Sequence, residues 1–160
     1  MPGKCRQIAG LTAWIALCFA AAGLGAWATS SGPDTWYAGL RKPPFTPPDW
    51  VFGPVWSVLY LTMAVAAWMV WRREGLRRAA LPLGLFVLQL VLGAAWSALF
   101  FGWRSPGLAM ADLVLLWCAI LATVLCFWYR SAVAGWLLMP YLAWVSFAGA
   151  LNFAIWRLNA

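Results

Sequence analysis

Long uncharged apolar runs, separated by short clusters of basic residues, dominate the 160-residue chain. The runs cover residues 7–33, 50–71, 79–103, 105–129 and 131–156, and only the fourth holds a charge, Asp112. Each exceeds the roughly 20 residues that a helix needs to cross a bilayer core. Leu, Ala, Val and Trp fill them without period-2 alternation, which favours helices over a β-barrel. The pattern predicts an all-α integral membrane bundle of five transmembrane helices, at roughly 7–30, 50–71, 79–103, 105–129 and 131–156. They form a single domain over 1–160, with a Pro-rich lid loop, 29–49, between helices one and two.

Composition sharpens the picture. Hydrophobic residues make up 65% of the chain, charged residues 9%, and mean hydropathy is +0.80. An ordinary soluble domain is about 25% charged, so there is too little polar surface to coat a soluble globule. A soluble enzyme, a disordered chain and a nucleic-acid-binding module are thereby excluded. The net charge of +7 is scattered between apolar blocks and forms no nucleic-acid stripe. The first run has flanks like those of a secretory signal, but it is longer than a signal core and contains Trp14. A retained first helix is expected.

Counting Lys and Arg on alternate sides gives an orientation. Lys4, Arg6, Arg72, Arg73, Arg77, Arg78 and Arg130 fall on one side, and Arg41, Lys42, Arg104 and Arg157 on the other. The positive-inside rule then puts the N-terminus in the cytoplasm. The four cysteines (Cys5, Cys18, Cys118 and Cys126) form no CxxC pair and read as small apolar packing residues. The chain has no His, which removes the commonest metal ligand and acid–base group, so neither a metal site nor a cofactor is expected.

The first connection is the unusual one. Pro33, Pro43, Pro44, Pro47 and Pro48 stiffen it against helix formation, and Trp36, Tyr37, Leu40 and Phe45 give it apolar side chains. Loops of this length are usually functional or disordered. A lid folded over the helix ends is preferred to a spacer with interfacial aromatics.

Of the fourteen tryptophans, Trp50, Trp68, Trp71, Trp103, Trp128 and Trp156 lie near span ends and fit an interfacial belt. Trp117 and Trp144 fall mid-span, where an indole N–H needs a protein partner or a ligand. Trp117 reads equally well as packing filler; for Trp144 a pocket role is preferred. At 1.5 Å per residue, Trp56, Ser97, Asp112 and Ala148 come to similar depths, about 10 Å below the lid side. Helical spacing puts Trp56 with Tyr60, Gln89 with Gly93 and Ser97, and Trp144 with Ala148 and Asn152. Small residues beside large aromatics leave room for a neighbouring helix or a flat guest. Asp112, expensive within a span, is expected to hydrogen-bond to the lid or to span-three polar groups. Pro140 frees backbone carbonyls in span five.

Trp36-Tyr37-x-x-Leu40-x-Lys42-Pro43, Pro47-Pro48-x-Trp50-x-Phe52 and Trp56-x-x-x-Tyr60 resemble the first loop and second helix of the translocator protein family. Its bacterial members are the tryptophan-rich sensory proteins. Trp96-Ser97-x-x-Phe100-Phe101, Ala109-x-x-Asp112, Pro140-Tyr141-Leu142-Ala143-Trp144, Leu151-Asn152 and Trp156-Arg157 extend the resemblance over essentially the whole chain. The resemblance implies a five-helix bundle, usually a homodimer, with a pocket under the first loop for porphyrins such as protoporphyrin IX and for isoquinoline-type drugs. By position, Trp56, Tyr60, Trp144 and Ala148 match ligand-lining residues, with Tyr37 from the loop. Gly93 stands where the family often has Asn. Phe153 replaces the Tyr of the animal sterol motif, which argues against sterol binding.

These readings combine into a site of Tyr37, Trp56, Tyr60, Gly93, Ser97, Asp112, Trp144, Ala148 and Asn152. Arg41 and Lys42 (with Arg104 and Arg157 on the same side) would meet the anionic edge of a porphyrin, and aromatic walls would stack its faces. The expected role is a receptor or carrier regulating tetrapyrrole levels or transport, in the lipid bilayer of a bacterial cell envelope. The alternative is light-dependent oxidative breakdown of the porphyrin, with Trp56 and Trp144 as electron donors. A partner-scaffolding protein without a ligand is the third reading.

Overall fold

The computed structural model describes residues 3–30 and 34–160. Its described residues are mostly helical, with no strand among them. Helix α1 spans Lys4–Ser30, a short α2 spans Asp34–Gly39, and α3 spans Asp49–Arg78. Helix α4, Ala80–Ser97, runs into a π-helical turn at Ala98–Gly102; α5 spans Pro106–Arg130 and α6 Ala132–Asn159. Five of these are long and apolar enough to cross a membrane: α1, α3, α4 with its π turn, α5 and α6. Large apolar side chains such as Leu24, Val58, Leu81, Val91, Leu115 and Trp136 remain exposed. On a soluble protein that surface would aggregate; in a bilayer it faces lipid.

The five-helix architecture is the one the apolar runs predicted, with three differences. The 29–49 connection, expected to be non-helical, carries α2. The residues from Asp34 to Gly39 contain no proline, the proline pairs lying further on at 43–44 and 47–48, so one helical turn and a half is allowed. Pro33 lies outside the described residues. The second span continues past Trp71 to Arg78, breaking only at Gly75, where φ 72° and ψ 174° place the chain in a region that glycine adopts cheaply. The last span runs on to Asn159. Pro140 sits inside that unbroken helix, where its ring leaves the Trp136 carbonyl without the usual backbone donor.

Local chemistry sets the ends. Pro106 opens α5 at the first helical turn, where its missing N–H costs nothing. The Ser131 side chain accepts from the Ala134 N–H at 3.4 Å and caps α6. After α4 the register slips: Trp103 N–H donates to the Ala98 carbonyl at 2.9 Å, and Ser105 N–H to Leu99 at 3.1 Å. This π turn carries Phe100 and Phe101, whose rings meet at 4.9 Å.

The core is a zipper of alanines and larger side chains from all five long helices. Met63, Ala64, Ala67 and Val70 of α3 are fully buried with Phe86 of α4, Phe127 of α5 and Leu138 of α6. Glycines permit close approach: a Cβ at Gly135 would lie 2.8 Å from Trp128 Cε3 and 3.1 Å from its Cα. Of the span-end tryptophans, Trp50 and Trp103 are 75% and 71% exposed, whereas Trp68 and Trp71 are half-buried. Trp68 Nε1 donates to the Gln7 carbonyl at 3.0 Å, and a side chain at Gly10 would collide with the Trp71 indole. These two indoles join α1 to α3.

Candidate ligand site

Three helices bring aromatic rings together in the bundle interior. The i, i+4 stripe of α3 presents Phe52, Trp56 and Tyr60 on one face. Trp56 lies 5.5 Å from Tyr60 and 6.1 Å from Tyr141 of α6, ring centre to ring centre. Phe52 meets Trp144 at 5.8 Å, and Phe19 of α1 reaches Tyr60 at 6.4 Å. The hydroxyl of Tyr141 would be 3.7 Å from a Cβ at Gly93, so glycine leaves α4 open opposite that phenol. Ala148, one turn beyond Trp144, is half-buried against the same core.

The polar atoms of these rings are unspent. No protein group among the described residues accepts from Trp56, Tyr60, Tyr141 or Trp144. Other interior tryptophans are committed: Trp96 Nε1 donates to Asn152 Oδ1 at 3.1 Å, and Trp117 Nε1 to Ser146 Oγ at 2.9 Å. An indole or phenol head inside a bilayer should find a partner, so the contrast marks the Trp56–Trp144 region.

Residues 36–45 bring aromatic side chains against the helix ends above. Trp36 packs 5.8 Å from Phe100, and Tyr37 lies 6.2 Å from Phe100 and 5.5 Å from Phe101. Phe45 reaches Phe147 at 6.3 Å, and Phe147 in turn lies 5.6 Å from Trp144. Lys42 Nζ sits 4.0 Å over the Tyr37 ring, a cation–π contact. Burial, and secondarily the Asp49 carboxylate, push the Tyr37 phenol above its ordinary value, so it stays neutral. The backbone N–H of Arg41 donates to Asn159 Oδ1 at 3.0 Å, and Asn159 Nδ2 returns a bond to the Arg41 carbonyl at 2.9 Å.

Other expected residues stand differently. Ser97 faces α1, its hydroxyl 3.3 Å from where a Gly25 Cβ would be. Asn152 is buried with both ends of its amide bonded, accepting from Trp96 and donating through Nδ2 to the Pro106 carbonyl at 2.8 Å. The hydrogen bonds expected of Asp112 are absent among the described residues; the carboxylate is buried and its Oδ2 has no partner. Asn152 of α6 instead ties Trp96 of α4 to the start of α5, while Asp112 makes neither the lid bond nor the span-three bond expected of it. Gln89, which shares a helix face with Gly93, is 1% exposed with neither amide atom bonded. Tyr141 and Phe52 were overlooked as wall residues. Both were legible as neighbours in the helical stripes, Phe52 four before Trp56 and Tyr141 three before Trp144.

Trp117 faces elsewhere. It lines an open groove of about 300 Å³ between α5 and α6, together with Met110, Val114, Ser146 and Gly149. That groove is separate from the Trp56 rings.

Fold and site together define a polytopic membrane protein of five long apolar helices with aromatic rings gathered in its interior. The chain belongs to the TspO/MBR family, whose pattern matches residues 14–157. It is 46% identical to the human translocator protein over 126 residues, covering 78% of this chain and 75% of that one. Identity to the tryptophan-rich protein TspO of Archaeoglobus fulgidus is 40% over 155 residues, 97% of each chain. Identity to a tryptophan-rich sensory protein of Cereibacter sphaeroides is 39% over 127 residues, 79% of this chain and 78% of the relative.

Proposed function

We propose that this protein is a membrane receptor or carrier that binds porphyrins, protoporphyrin IX foremost, and similar flat hydrophobic ligands between α3, α4 and α6, and so regulates tetrapyrrole levels or transport. The observation that carries this is the group of four aromatic side chains, Trp56, Tyr60, Tyr141 and Trp144, whose polar atoms have no hydrogen-bond partner among the described residues. A flat apolar ring stacks on such walls while its nitrogens and carboxyls meet indole and phenol heads. Ala148 and Gly93 supply the thickness that a guest needs. Asn152 braces the wall through Trp96, and Asp112 and Gln89 offer buried polar atoms beneath it. The 29–49 segment acts as the lid: Tyr37 covers the opening, and Arg41 and Lys42 stand at the side where the porphyrin carboxylates emerge.

Family membership supports a ligand-binding membrane role, and two relatives carry the words translocator and sensory in their names. The charge distribution supports a cytoplasmic N-terminus in a bacterial membrane, and the small residues of α4, among them Gly84 and Ala95, suit a homodimer contact.

The test is an equilibrium titration of purified protein with protoporphyrin IX and with haem, read by tryptophan quenching. With no His to ligate iron, saturable quenching by the metal-free ring, at least as tight as by haem, is expected. Absence of saturation, or clearly tighter haem binding, would overturn the reading.

The same walls support a second reading, light-dependent oxidative breakdown of the bound pigment with dioxygen as the oxidant and Trp56 and Trp144 as electron donors to the excited ring. The ring contacts Trp56–Tyr60–Phe19 and Trp144–Phe147–Phe45 lead outward from both indoles. Phe at both positions with binding retained but photobleaching lost would favour it.

A further inference from the structure

At the end of the bundle opposite the 29–49 segment, three helix termini and the α3–α4 link meet. Hydrogen bonds establish the meeting: Trp68 Nε1 to the Gln7 carbonyl, and Arg73 Nη1 to the Arg130 carbonyl at 2.9 Å. Seven cations gather there (Lys4, Arg6, Arg72, Arg73, Arg77, Arg78 and Arg130) against one carboxylate, Glu74. Internal contacts absorb some of them. Arg130 pairs with Glu74 at 2.9 Å and also donates to the Cys126 carbonyl, and Arg73 is held by the Arg130 backbone. Arg72 lies flat on the Trp68 indole, 4.4 Å from its centre.

Lys4, Arg6, Arg77 and Arg78 are exposed and have no acidic partner among the described residues. Gly75 turns the chain just before the arginine pair, and Leu76, 62% exposed, stands beside it. An exposed apolar side chain next to two free guanidinium groups, at the end of a span, fits the border between acyl chains and headgroups.

We propose that this end of the bundle, centred on Arg77 and Arg78 and flanked by Lys4 and Arg6, is a binding surface for the phosphate headgroups of anionic phospholipids, with Leu76 anchored among their acyl chains. Guanidinium groups suit phosphate because the planar fork donates two parallel hydrogen bonds. Clusters of four to eight basic residues beside a span attract anionic lipid, each worth about fivefold in partitioning. Location selects lipid over a soluble polyanion: the free cations sit where the five helices end.

The experiment is a native mass spectrometric titration of the full protein in neutral detergent, with dioleoylphosphatidylglycerol against dioleoylphosphatidylcholine. Phosphatidylglycerol is expected to bind at least tenfold more tightly, and the preference to shrink with added salt. The R77Q/R78Q variant is expected to lose roughly twentyfold in phosphatidylglycerol affinity, R77K/R78K to keep most of it, and R41Q/K42Q at the other end to keep it all. The R77K/R78K form guards against a folding defect, since it retains charge. Equal binding of both lipids, equal loss in both Gln variants, or full displacement by millimolar inorganic phosphate would overturn the proposal. Protoporphyrin quenching is expected to be unchanged in R77Q/R78Q, so this surface and the interior site stand or fall separately.

Discussion

Gln89 is the residue whose chemistry is least satisfied by its own protein. Its amide is sealed in the bundle with no donor or acceptor, and an unmade bond there costs about 1–3 kcal/mol. Met has nearly the same length and no polar atoms. The Gln89→Met variant is therefore expected to unfold several degrees higher, followed by circular dichroism in detergent; a lower midpoint would show that the amide has a partner. Asn152 is the opposite case, with both ends of its amide bonded. Sequence spacing put Asn152 and Asp112 near the aromatic rings but could not say which one would bond, because that depends on α5 approaching α6 so that the Pro106 carbonyl meets Nδ2. The Trp56–Tyr60 pair was legible because i, i+4 geometry alone creates it. Trp56–Tyr141 and Phe52–Trp144 depend on how two helices are rotated about their axes, which no single run of residues encodes.

Among elements, the α5–α6 hairpin is the tightest. Its turn brings Gly135 against Trp128, backbone included, and holds Trp128 and Trp136 4.8 Å apart. Adding one methyl group in Gly135→Ala must push the helices apart or tilt the indole, at about 1–3 kcal/mol. A lower unfolding midpoint, with the fold retained, is expected; an unchanged midpoint would mean that Trp128 moves aside freely. The spans themselves were readable because a bilayer demands long uncharged runs. Two local features were not. Helix α2 forms inside a proline-rich stretch because its six residues, 34–39, fall in a proline-free interval between Pro33 and Pro43. The π turn at Ala98–Gly102 has no composition signal; it follows from α4 reaching the ring cluster of Trp96, Phe100 and Phe101, where the first two stack at 5.4 Å.

For the whole molecule, the two ends differ in kind. One carries aromatic rings of the 29–49 segment laid on α4 and α6, and the other carries most of the positive charge. Between them, the interior holds polar atoms that the protein does not use, in a solvent where leaving them unused is expensive. That pattern is hard to explain for a bundle that only needs to stay folded, and it makes sense if a guest completes the bonding. The most direct check is titration of protoporphyrin IX, followed by pigment absorbance, into wild type and into Trp144→Phe, Tyr60→Phe and Trp128→Phe. The interior-site account predicts about tenfold weaker binding for each of the first two, which lose an unspent polar head or aromatic area, and unchanged binding for Trp128→Phe on the outer face. Identical affinities across all four proteins would contradict it.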